Sequence, residues 1–309
     1  MSTNNRTGRK RDYVGVLSSV FAIVIGLLVG FVILLICNPS QALPGFVTIL
    51  TGAFTHGLKG VGQVFYYATP IILTGLSVGF AFKTGLFNIG TPGQFIVGAF
   101  AAVYVGIMWT GLGRIQWAVA LLAAILGGAL WGMVPGFLKA CFNVNEVIAS
   151  IMMNYIGMYM VNWIVKSYKP LFNNLRNESR NVAATAQIPK MGMDKLFPES
   201  SVGGGILLAI AAVLIIWVIL NKTTFGYELK AVGFNRDASR YAGINEKRNI
   251  IMSMVIAGAI AGMAGGLLYL AGTGKHIEIK DVLASEGFTG ISVALLGLSL
   301  SLIHISEPT

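Results

Sequence analysis

The sequence predicts an all-α fold, a polytopic helix bundle in a membrane, and three observations carry that expectation. Only 11% of the 309 residues are charged, against 55% hydrophobic, whereas soluble domains carry about 25% charged residues. So few charges cannot clothe a globule of this size, and lipid is the solvent the composition fits. The apolar residues also fall into separate runs close to the ~20 residues that cross a bilayer. Finally, glycine occurs 39 times, and small residues let spans pack backbone to backbone where no hydrophobic force draws helices together.

The first span is expected at 14–36, behind the basic cluster Arg6, Arg9, Lys10 and Arg11. It is too long for a signal-peptide core and reads as a retained span with a cytoplasmic tail at 1–13. A mixed stretch follows at 38–59, with a short external helix about 46–54. Further spans are expected at 61–82, 94–109, 117–140 and 147–165. The polar stretch 166–204, with Pro170, Pro189 and Pro198, is read as an external loop. A span at 205–220 precedes a second polar segment at 221–249, read as cytoplasmic, and a span at 250–271 follows. The last apolar run starts near Phe288. Gly128, Gly132 and Gly136, and again Gly258, Gly262 and Gly266, stand four apart and mark close-packing faces.

Net charge is +10, but the basic residues lie in the gaps between apolar runs rather than in a stripe with interleaved aromatics. That pattern fits loops facing anionic lipid and excludes nucleic-acid binding. The two polar segments carry equal charge, six Lys/Arg against three Asp/Glu each, so the sides rest on the basic N-terminus and on counting spans. Cys37 and Cys141 sit at ends of apolar runs, and His56, His276 and His304 lie in separate segments. Neither set has metal-ligand spacing, no nucleophile elbow is present, and no phosphate-binding glycine loop precedes a Lys-Ser/Thr pair. An enzyme is therefore not expected, and any ATP must be bound by another subunit.

Three segments could carry function. The first, GLFNIGTPGQ at 85–94, holds too many glycines for a continuous helix, while Asn88 or Thr91 could cap a new one at Pro92. It is either a broken helix lining a path, with Asn88 and Gln94 as polar contacts, or a turn at the membrane surface. The second, at 143–157, opens on Asn145 as an N-cap with Glu146 in the first turn, and places Asn154 inside a span, where its amide must bond a neighbouring helix or face a pore. The third, TTFGYELKAVGFNRDASRYAGIN at 223–245, suggests two short helices, 227–232 ended by Gly233 and 237–242 ended by Gly243. They make either a docking surface or a solvated loop.

Together these segments resemble the permease family of ABC importers for branched-chain amino acids, simple sugars and nucleosides, most strongly the bacterial nucleoside-type permeases. The first is similar to the family's Gly-Leu-Phe-Asn-Ile-Gly-x-x-Gly-Gln element, with Thr91-Pro92 in place of a frequent Ala-Glu. The third resembles the segment that docks on the ATPase. The resemblance covers about 14–298 and implies a type II importer-like permease domain of about ten spans, of which eight are visible. It also implies a cytoplasmic ABC ATPase, a second permease subunit in a heterodimer, and an external substrate-binding lipoprotein. By position, it implies that Asn88 and Gln94 line or shape the substrate path, to which Thr91 and Asn154 are added as candidates from their place in the same segments. Gly226, Leu229, Gly233, Asn235, Ala238, Gly243 and Ile244 would form the ATPase-coupling segment. The secondary transporter or channel, the competing class, needs an ionisable site at mid-membrane, and the spans hold almost no acidic residues. Beyond 298 the family pattern continues with more spans, whereas 299–309 reads SLSLIHISEPT and resembles translated adapter sequence. The expectation is an open reading frame missing two or three spans.

Overall fold

A computed structural model describes the backbone of residues 6–302 and the side chains of 17–297. Twelve helices make up the chain among the described residues. They are α1 (Arg6–Cys37), α2 (Pro39–Thr55), α3 (Gly57–Phe82), α4 (Thr91–Met108), α5 (Gln116–Phe142), α6 (Glu146–Ser167), α7 (Met193–Leu196), α8 (Gly205–Lys222), α9 (Thr224–Phe234), α10 (Arg236–Tyr241), α11 (Glu246–Tyr269) and α12 (Ser285–Leu302). Two-residue strands β1 (Phe172–Asn173) and β2 (Glu178–Ser179) pair as a small hairpin between α6 and α7.

Seven described helical segments are long and apolar enough to cross a membrane, and each matches an expected span to within a few residues, except that α5 is lengthened by a 3-10 turn at its start. α12 supplies the eighth apolar run. α1 reaches back to Arg6, through the basic cluster expected as a tail. The short helix expected at 46–54 is longer, because Pro39 sits in its first turn, where a missing N–H costs nothing. The tail expected at 299–309 lies outside the described side chains.

α4, α5 and α11 form the centre, and glycine is what lets them meet. A β-carbon on Gly128 or Gly132 of α5 would run into the backbone of α11 at Met254, Gly258 or Gly262. One on Gly98 of α4 would strike Gly262 as well, and one on Gly266 would lie 2.7 Å from the Ala124 methyl. The four-residue glycine spacing thus marks one seam, as the sequence suggested. α3 and α12 flank this centre, α6 and α8 lie outside it, and α1 packs chiefly on α2 and α12. The outward side chains of α1, α5 and α8 are apolar, including Leu28, Val32, Leu122, Leu126, Leu130, Ile210 and Leu214, which is the surface lipid requires.

The connections gather at two opposite ends. At one end the segment after α6 folds over the segment after α11: Ser179 N–H donates to Ile277 C=O, Ile188 N–H to Leu270 C=O, and Lys59 pairs with Glu199 at 3.2 Å. There the Lys280 ammonium, 2.8 Å from Glu278, holds that carboxyl below its ordinary range. The other end collects residues 83–90, the α5–α6 turn and α9–α10. The long polar segment and α9–α10 therefore lie on opposite sides, as span counting requires.

Candidate functional site

The segment between α3 and α4 does not stay at the surface. Residues 85–90 fold back among the helices, and Asn88, Thr91, Gln94 and Asn154 are each at most 2% exposed. Asn154 lies eight residues into α6, about 12 Å along the axis at 1.5 Å per residue. Non-helical backbone survives at such depth only under protein cover, and a closed polar network provides it here.

Asn88 and Gln94 form a reciprocal amide pair: Asn88 Nδ2 donates to Gln94 Oε1 at 2.9 Å, and Gln94 Nε2 donates to Asn88 Oδ1 at 3.1 Å. Asn88 Nδ2 also reaches Ser77 Oγ, and its Oδ1 accepts from Gly90 N–H. Ser77 in turn donates to Ala257 C=O on α11. Neither Asn88 nor Thr91 caps α4 as expected. Thr91 is the first helical residue, and its hydroxyl donates to Asn88 C=O instead.

The cap comes from another helix. Asn154 Oδ1 accepts from Gly93 N–H at 2.9 Å, one of the amides that α4 leaves unpaired at its start. Asn154 Nδ2 donates to Ile89 C=O at 3.0 Å. One α6 side chain thus holds both the loop and the new helix. Of the two fates open to that amide, it bonds a neighbouring element. The four residues are brought together, and in this conformation their polar atoms face one another rather than an open channel. Ser77, and the Thr84–Ser253 hydroxyl pair at 2.7 Å, belong to the same polar layer. Their only signal in the sequence is a hydroxyl inside an apolar run.

The second assembly is α9–α10. Three asparagine or threonine caps articulate it: Thr223 accepts from Gly226 N–H, Asn235 from Ala238 N–H, and Asn245 from Arg248 N–H. Leu229 and Val232 are buried against the bundle. Glu228 accepts from Asn249 Nδ2 at 3.0 Å, tying α9 to α11. Gly226 is buried in the tight α8–α9 turn, where a β-carbon would lie 2.6 Å from the Leu220 backbone. Gly243, at φ +81°, ends α10 in the left-handed region, as expected. Ile244 packs back on the core.

Gly233 departs from expectation. It does not end the first short helix, which continues to Phe234. Its role is proximity: a β-carbon there would sit 2.5 Å from Lys83 C=O and 3.0 Å from the Thr84 carbonyl carbon. Outward, Tyr227, Phe234 and Tyr241 are 72%, 87% and 92% exposed. Tyr227, Phe234, Ala238 and Ile244 border a groove of about 520 Å³.

The α5–α6 turn completes this end. Asn145 caps α6 by accepting from Val147 N–H, and Glu146 pairs with Lys139 at 2.8 Å. The sequence reading of Asn145 as a cap holds. Among the described residues, every buried polar side chain is neutral.

The sequence pattern of the family described as branched-chain amino acid transport system permease component matches residues 60–305. The guanosine ABC transporter permease protein NupP of Bacillus subtilis is 42% identical over 278 residues, 90% of this chain and 78% of that protein. The nucleoside ABC transporter permease protein NupB of Lactococcus lactis is 35% identical over 300 residues, 95% and 79% of the two chains. The guanosine ABC transporter permease protein NupQ of Bacillus subtilis is 28% identical over 239 residues, 75% and 72%. No solved structure matches.

Proposed function

Because the chain belongs to the branched-chain amino acid transport permease family, we propose that this multi-pass membrane protein is the permease subunit of an ATP-driven importer of nucleosides. The nucleoside assignment follows the relatives, which carry guanosine or nucleoside names over nearly the whole chain. The observation that carries the mechanism is the backbone contact between α9 and the root of the buried 85–94 loop.

In this reading the exposed aromatic groove of α9–α10 receives a cytoplasmic ABC ATPase. The N-terminus and α9–α10 then face the cytoplasm of a bacterial cell, and the 168–204 and 270–284 platform faces outward, where a substrate-binding lipoprotein delivers its load. Closure of the ATPases pushes α9. The push reaches the 85–94 loop through Gly233, and α11 through the Glu228–Asn249 bond. Asn88, Thr91, Gln94 and Asn154 shape the path by holding that loop to α4 and α6. A second, non-identical permease completes it, since Bacillus subtilis has two guanosine permeases, NupP and NupQ, both similar to this chain. A transporter acting alone would need a charged site at mid-membrane, and the buried polar side chains described are all neutral.

Co-expression with a cognate ABC ATPase tests the docking surface. The ATPase should copurify with the wild-type chain and be lost from a Tyr227→Ala/Phe234→Ala variant that still inserts. Equal recovery with both would remove α9–α10 as the docking site.

A further inference from the structure

The outward face of α6 differs in chemistry from those of α1, α5 and α8. Beside Ile148 and Ile156, α6 presents Met152, Tyr155, Tyr159 and Trp163 at helical spacing, an aromatic row that the middles of α5 and α8 lack. Tyr155 and Tyr159 are 47% and 53% exposed. Neither hydroxyl bonds to a described residue. They lie nine and thirteen residues beyond Glu146 in a helix of 22, so about 14 and 20 Å along a rod about 33 Å long. That is the middle of the helix. Tyrosine favours the membrane interfaces, where Trp163 lies, and an unbonded hydroxyl in hydrocarbon is costly. The two phenols therefore call for a partner other than lipid tails.

We propose that Tyr155 and Tyr159 form a stacking wall for the nucleobase in the translocation path. The proposal rests on the nucleoside reading above and adds the residues that touch the substrate. Aromatic rings stack on every base with little preference for which, and each phenol can donate and accept toward ribose or base edges. The wall is also wired to the rest of the site. Tyr155 adjoins Asn154, which grips Gly93 N–H and Ile89 C=O from the other side of α6, so a shift of the loop turns the wall.

The test uses proteoliposomes holding the chain with its ATPase, second permease and binding protein, with guanosine as probe. Guanosine uptake at saturating loaded binding protein should fall about tenfold in Tyr155→Leu/Tyr159→Leu, which removes both rings but keeps apolar volume. Tyr155→Phe/Tyr159→Phe should lose less than the leucine variant, because the rings that stack remain and only the phenol contacts are gone. Full uptake by the leucine variant overturns the proposal alone. Loss of the second permease from that variant also overturns it, and makes the face a subunit seam. A wild-type complex that moves no guanosine overturns it together with the nucleoside reading. Thiol labelling gives a readout independent of turnover. With Cys37 and Cys141 replaced by serine, Tyr159→Cys should react with a water-soluble maleimide and be protected by guanosine, while Leu126→Cys on α5 stays unlabelled. An unreactive Tyr159→Cys overturns the proposal.

Discussion

Gly233 of α9 lies against Lys83 so closely that a β-carbon on it would stand 2.5 Å from the Lys83 carbonyl oxygen. Gly85 meets the same residue from the other side, at φ +70°, with its own β-carbon position 3.1 Å from Gly233 C=O. Two backbones touch with no side chain between them, so a displacement of α9 passes to the 85–94 loop without slack.

The first prediction follows from that contact. Gly233→Ala should push α9 off the loop root at a cost of about 1–3 kcal/mol, the range for inserting a methyl where none fits. The variant should reach the membrane at normal levels, hydrolyse ATP with its partners, and take up substrate poorly. Gly233→Pro should do the same more severely. The ratio of substrate moved to ATP hydrolysed is the measurement.

Asn154 makes two bonds to backbone that no other described side chain reaches. Asn154→Ala should strand Gly93 N–H and Ile89 C=O in a dry interior, at about 1–3 kcal/mol for the unsatisfied groups. A lower melting temperature in detergent checks it. Asn154→Asp restores only the acceptor and buries a charge, so it should be no better.

Asn88 and Gln94 satisfy each other, so their losses should not add. Asn88→Leu and Gln94→Leu each orphan a buried amide. The double variant removes both partners and should be less destabilised than the sum, with a coupling of about 0.5–3 kcal/mol in a double-mutant cycle. Strict additivity would mean that the pair is not the unit described.

The α5–α11 seam predicts a contrast between glycines. Gly258→Val drives side-chain atoms into the Gly128 carbonyl and should abolish the folded yield measured by size-exclusion chromatography. Gly26→Ala on α1 meets nothing within 4 Å and should be neutral or slightly stabilising, because alanine is the better helix former.

Much of this fold is legible in the sequence, because span length, glycine spacing and capping residues are local signals. Asn145 before Glu146 and Gly243 after Tyr241 behave as their types dictate. What is not legible is tertiary. Asn154 caps a helix through Gly93, 61 residues earlier in the chain, and no local pattern announces that pairing. Gly233 reads as a helix stop because glycine after a short helix usually is one, yet the helix runs on to Phe234 and the residue is small for the sake of Lys83. The depth of the 85–94 loop follows the same rule: its polar residues look like surface residues until Ser77 and Asn154 arrive from α3 and α6.

The most direct measurement of the central claim is guanosine accumulation in proteoliposomes carrying this chain, its second permease, the ATPase and the binding protein. The account predicts uptake that requires ATP and stops when the ATPase subunit is omitted or made hydrolysis-deficient. Guanosine uptake at the same rate without the ATPase would contradict it.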